Sequence, residues 1–203
     1  MSNVAITGNA SGTGVFTVAS PNSNVDRVLT LPDETGTVDT LQRSGNVLQV
    51  VSVLTTAQGS QALAAATETV VTGLTLSITP KGANSKFLVQ ARNFGESNTS
   101  WDNVYNILMD GVRVNIGGST QSFAGLSMAG QTYGGADDNE STPEILTLST
   151  LVSTSSVVGT SITFALAITS NGAKTLYLNR CVSAPAVVNE VGSSEIIITE
   201  IGA

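Results

Sequence analysis

From residue 67 onward the chain alternates apolar and polar positions with a period of two. Val70-Val71-Thr72-Gly73-Leu74-Thr75-Leu76-Ser77-Ile78-Thr79 alternates after its glycine, and Lys86-Phe87-Leu88-Val89-Gln90-Ala91 follows the turn formers Pro80 to Ser85. That pattern predicts strands with one buried face. Val104 to Met109 runs into Asp110-Gly111 and resumes as Val112 to Ile116. An Asp-Gly pair between two apolar runs predicts a hairpin. Further strands are predicted at Ile145–Val152, Ser161–Ile168, Thr175–Asn179 after a second hairpin turn at Asn171-Gly172, and Glu195–Ile201. Residues 117–143, with Gly117-Gly118, Gly134-Gly135 and the cluster Asp137-Asp138-Asn139-Glu140, read as long surface loops with room for one short strand.

The first 66 residues read differently. Val47 to Leu54 is apolar without alternation and predicts a buried strand, while Gln61-Ala62-Leu63-Ala64-Ala65-Ala66 suits a short helix or a loop equally. Ahead of them, Val4-Ala5-Ile6, Val15 to Val18 and Arg27 to Leu31 are β-type runs too short to bury a core alone, separated by turn formers such as Gly12-Thr13-Gly14 and Pro21-Asn22. A shaft in which each of several chains supplies one face solves that difficulty; a disordered tail is the plainer alternative. The expected organisation is an attachment or shaft segment over 1–40, a connector with one strand over 41–66, and a head domain over 67–203. The fold class is all-β, with a jelly-roll-like β-sandwich head.

Composition narrows the chemistry. There is no histidine and one cysteine, Cys181, so the commonest general base and metal ligand is absent and no disulfide framework or Cys-rich metal site can form. No catalytic residue, metal or cofactor is assigned. Charged residues make up 11% of the chain and the net charge is −7, with no Lys or Arg between Arg113 and Lys174. A phosphate-neutralising surface is therefore not expected, so nucleic acid is excluded as a partner. No apolar stretch approaches the ~18 residues of a membrane helix, and the N-terminus lacks the basic and apolar regions of a secretory signal. The expected product is made in a cytoplasm without membrane insertion. So few charges on a Ser-, Thr- and Gly-rich β chain favour an oligomer whose subunits cover one another.

Three features could carry recognition. Trp101 is the only tryptophan and sits in the polar stretch Asn98-Thr99-Ser100-Trp101-Asp102; with Tyr105 or Tyr133 it could stack on a sugar ring, or it could plug the end of the sandwich or a subunit contact. Asp137, Asp138, Glu140 and Glu144 could hold a hard cation, but their spacing does not match a calcium loop, and a solvated acidic loop is the simpler reading. A pair of carboxylates could cleave a glycan without histidine, which keeps a hydrolase open as an alternative.

The stretch Gly12-Thr13-Gly14-Val15-Phe16-Thr17-Val18, then Pro21, then Arg27-Val28-Leu29-Thr30-Leu31-Pro32-Asp33-Glu34-Thr35-Gly36-Thr37-Val38 resembles a short motif of tailed-bacteriophage fibre proteins. The remainder is similar, more loosely, to appendage domains of phages infecting marine bacteria and cyanobacteria, through Val47-Leu48-Gln49-Val50, a hairpin from Ile78-Thr79-Pro80 to Ser85-Lys86, Tyr177-Leu178-Asn179-Arg180 and the last residues from Gly192. The resemblance implies a homotrimeric virion structural protein located on the particle. Its head would contact a host surface glycan through Trp101, Tyr133, Asp137 and Asp138. Its N-terminal segment would attach to other virion proteins through Phe16, Leu29, Leu31 and Pro32. Tail fibres are often much longer, with a large anchoring domain that is not seen here, so a head fibre or a capsid or neck decoration without receptor binding stands as the alternative.

Overall fold

A computed structural model describes residues 11–15, 17, 19, 22–26, 28, 44–98, 102–116, 123–128, 143–183 and 190–203. The chain separates into two units, Met1–Val38 and Asp39–Ala203. In the first, the described residues Val15, Val25 and Val28 are exposed. The proposed attachment residues Phe16, Leu29, Leu31 and Pro32 lie outside the described residues.

The second unit is all-β. Its strands are β1 (Val47–Thr55), β2 (Gly59–Leu63), β3 (Thr69–Ile78), β4 (Lys86–Ser97), β5 (Asn103–Met109), β6 (Val112–Arg113), β7 (Ser127–Met128), β8 (Glu144–Ser153), β9 (Ile162–Ser170), β10 (Lys174–Leu178) and β11 (Ser194–Ile201). They form two sheets, and every paired strand is antiparallel to its neighbours. In the larger sheet β4 is the spine: β8 runs along one edge, while β11 and then β10 share the other, with β1 beyond β11 and β2 beyond β10. In the smaller sheet the order is β3-β9-β5, with β6 and β7 pairing successive parts of β5.

The alternation read from the sequence decides which side chains meet. Phe87, Val89 and Ala91 from β4, Leu146, Leu148 and Val152 from β8, and Ile196 and Ile198 from β11 share one core with Leu74 and Ile78 of β3, Ile107 of β5 and Phe164, Leu166 and Ile168 of β9. Phe87 and Phe164 touch across the two sheets, ring centroids 5.6 Å apart and tilted by 47°, a favourable aromatic geometry.

Several expectations are corrected. The apolar run 47–54 is an edge strand: Val51 and Val53 pack on the core, while Val47, Val50 and Leu54 are more than half exposed. Residues 59–63 form a strand because β10 offers a pairing edge and Gln61 bridges to β3, donating to the Val70 carbonyl and accepting from Thr72 N–H. Tertiary pairing thus overrides the helix propensity of the alanines. Asp110-Gly111 does form a tight hairpin, with φ of 48° and 81° as its turn type requires. Neither the 80–85 turn nor Asn171-Gly172 does so. Each carries the chain from the smaller sheet to the larger one, and neither Asn171 nor Gly172 has a positive φ.

Candidate interaction surfaces

The two sheets differ on their outer faces. On the smaller sheet the outward residues Val104, Asn106, Leu108, Ala165, Ala167 and Thr169 are all buried. Residues 124 and 125 lie against Asn106 and Val104, and Gly125 is so close that a Cβ there would sit 1.9 Å from Val104 Cγ1. Glu68 and Arg113 clamp this cover: Arg113 Nε donates to Glu68 Oε1 at 2.7 Å, Asn106 Nδ2 donates to the same oxygen at 3.0 Å, and Arg113 Nη1 reaches the Ala124 carbonyl at 3.4 Å.

Among the described residues, none covers the outer face of the larger sheet in this way. Reading across β1, β11, β4 and β8, the register lines up Val50, Thr199, Leu88 and Leu151 in one row, then Ser52, Ile197, Gln90 and Ser149, then Leu54, Glu195, Arg92 and Thr147. Val47 and Ile201 flank the first row, and the pair Phe94 and Ile145 flanks the last. Val50, Leu54, Ile145 and Leu151 are 48–60% exposed. A shallow groove of about 460 Å³ runs over this face between Arg92, Glu195, Ile197 and Ser149. The exposed apolar side chains are thus interspersed with Thr199, Ser52, Gln90, Ser149, Glu195, Arg92 and Thr147, so the face is mixed rather than a continuous apolar patch.

At the end of the unit where β4 finishes and β5, β8 and β10 begin, the space between the sheets turns polar. Asn93 and Ser97 continue the inward face of β4, Asn103 and Tyr105 that of β5, Glu144 that of β8 and Lys174 that of β10. Asn93, Ser97, Asn103, Tyr105 and Lys174 are each 8% exposed or less. Lys174 Nζ donates to Asn103 Oδ1 at 3.5 Å. Burial pushes the Tyr105 phenol well up, and Glu144 adds to the rise. Burial pushes the Lys174 ammonium down, opposed by Asp102 and Glu144. Outside this cluster, Asp102 accepts from Asn171 and Asn98 from Thr175 N–H, fastening the neighbouring loops.

Of the predicted recognition residues, Trp101, Tyr133, Asp137 and Asp138 lie outside the described residues. Tyr105, the suggested stacking partner of Trp101, is 2% exposed and cannot offer a ring face to a sugar. Cys181 is a buried free thiol. Among the described residues no group of three or more His, Cys, Asp or Glu is placed to hold a metal ion, and no helix is long and apolar enough to cross a membrane. The polar cluster was absent from the sequence reading, although the alternation Phe87, Val89, Ala91, Asn93 already aims Asn93 inward. Comparison with known protein families and with curated proteins finds no match.

Proposed function

We propose that the chain is a structural subunit of a tailed-bacteriophage particle, a homotrimeric fibre-type appendage that contributes to attachment at a host-surface glycan. The observation that supports the assembly is the set of exposed apolar side chains Val50, Leu54, Ile145 and Leu151 on the outer face of the larger sheet, beside a smaller sheet whose outward residues are buried. A chain with 11% charged residues and such a face is best accommodated where a second copy closes it. The resemblance of residues 12–38 to the fibre motif points to the virion, with that segment as the attachment or shaft part. Strand order supports a jelly-roll sandwich for the head: β1-β11-β4-β8 faces β3-β9-β5-β7, the arrangement that two Greek keys produce.

Light scattering on the purified full chain, combined with a pull-down on bacterial envelope polysaccharide, tests this. A mass near three times 20.7 kDa together with polysaccharide binding that disappears on deletion of residues 130–141 is the expected result. A monomer at micromolar concentration overturns the assembly, and binding unchanged by the deletion overturns the recognition role of that loop.

A further inference from the structure

We propose that Lys174 and Asn103 join in an intramolecular isopeptide bond that staples the two sheets at the polar end of the head. Asn103 opens β5 in the smaller sheet and Lys174 opens β10 in the larger one. Both lie on inward faces, with Tyr105 and Ile107 following Asn103 and Leu176 and Leu178 following Lys174 into the core. Their side chains therefore approach from opposite sheets, are 1% and 8% exposed, and are already in polar contact, with Nζ 3.5 Å from Oδ1.

A lysine amine is a competent nucleophile when burial shifts it towards the neutral form, and burial is the largest influence on Lys174. The reaction needs no other reagent. The Nζ lone pair adds to Asn103 Cγ, the Cγ–Nδ2 bond breaks, and a new Nζ–Cγ amide replaces it. One proton lost by Nζ leaves with Nδ2, and the former amide nitrogen departs as ammonia. No atom changes oxidation state. The proton needs a carrier, and two carboxylates, Asp102 and Glu144, lie within electrostatic reach of Lys174; Asp102 is held by Asn171 in the exposed loop, whereas Glu144 stands on the inward face of β8. We assign Glu144 the relay: its carboxylate takes the proton from Nζ and returns it to the departing nitrogen. Holding donor and acceptor in one buried geometry supplies the rate advantage of an intramolecular reaction.

Such a bond suits a particle appendage. It closes the chain between positions 103 and 174 and prevents the sheets from separating at the loop-bearing end, where no disulfide is available to a chain with one cysteine.

Intact-mass spectrometry of the full chain after overnight incubation of the folded protein tests the proposal. The expected mass is lower than the sequence mass by about 17 Da, one ammonia lost to the lysine amine. Tryptic mapping should give a branched peptide joining residues 103 and 174, with no cleavage after Lys174. Lys174→Arg and Asn103→Ala should restore the full mass, and Glu144→Gln should leave most of the protein unlinked. A wild-type chain at full mass with normal cleavage after Lys174 overturns the proposal. So does the same mass loss with normal cleavage after Lys174, which would place an imide at Asn171-Gly172 instead. The wild-type measurement stands even if a variant fails to fold.

Discussion

The carboxylate of Glu200, on the last strand, accepts the backbone N–H of Gly82 at 2.9 Å, in the turn that carries the chain from one sheet to the other. Lys81 N–H, the Ser85 hydroxyl and Gln49 Nε2 donate to the same fully buried carboxylate. Burial alone would raise its pKa; the donors outweigh burial and hold it below the usual carboxylate range. The turn also depends on Gly82, since a Cβ there would lie 2.8 Å from both Leu48 Cδ1 and Ser85 Oγ.

Because the folded pKa of Glu200 is depressed, its contribution to stability is complete above the unfolded value of about 4.3 and is lost as pH falls through the folded value. Glu200→Gln keeps the shape but replaces an acceptor oxygen with a donor facing the same N–H groups. At pH 7 the variant should be less stable by about 1–3 kcal/mol. Urea unfolding as a function of pH should show that gap narrowing below pH ~4, where the wild-type carboxyl takes up a proton. A gap independent of pH would mean that the fold does not shift the Glu200 pKa, and a gap that widens as pH falls would mean that the carboxyl is protonated in the fold.

Two glycines should respond in opposite ways. A Cβ on Gly95 would stand 2.3 Å from the Tyr177 carbonyl oxygen, a backbone atom of the paired strand β10 that can move only with its sheet. Gly95→Ala should cost about 1–3 kcal/mol or more. Gly172 has open space around its Cβ direction and no positive φ. Gly172→Ala should be neutral or stabilising by about 0.4–1 kcal/mol, through the reduced freedom of the unfolded chain. Thermal unfolding of the two variants side by side decides this.

How much of this was visible beforehand differs by feature. The alternation in β3, β4 and β8 marked the core side chains, because one side of each strand meets the other sheet and the other does not. The register that separates β9 from β10 was not legible. Asn171-Gly172 has hairpin chemistry, and only the competing edges of β4 and β2 draw β10 into the other sheet. The exposed side of β1 is not legible, because a run with apolar residues at both parities looks the same whether its second face meets a core or lies open. The Lys174–Asn103 contact joins positions 71 apart on different sheets, a distance over which local pattern carries no information.

The Glu68–Arg113 clamp predicts non-additive mutations. Its side chains are 22% and 17% exposed, so the pair is only partly screened. Glu68→Met would leave the Arg113 guanidinium and the Asn106 amide without the oxygen they share, and should cost about 1–3 kcal/mol. Arg113→Met should cost a similar amount and loosen the 123–126 cover, which limited proteolysis would register. The double variant should be less destabilised than the sum of the two, because neither charge is then left alone. Strict additivity in a denaturation cycle would show that the clamp contributes nothing as a pair.

The last prediction concerns the open face of the larger sheet. Val50 and Leu151 lie in one row across it and are 58% and 48% exposed in the single chain. Replacing either with Lys should leave the fold of one chain within about 0.5 kcal/mol of wild type, since the new charge stays in water. If a second copy closes the face, the same charge is trapped without a partner, and burying it costs several kcal/mol per subunit. Val50→Lys/Leu151→Lys should therefore dissociate the assembly at concentrations where the wild type is intact, with a normal β-type circular dichroism spectrum. Light scattering over a dilution series separates the cases. Loss of mass with retained structure places the contact on this face. An unchanged oligomer would move the contact elsewhere, to a sheet edge or to residues 1–38.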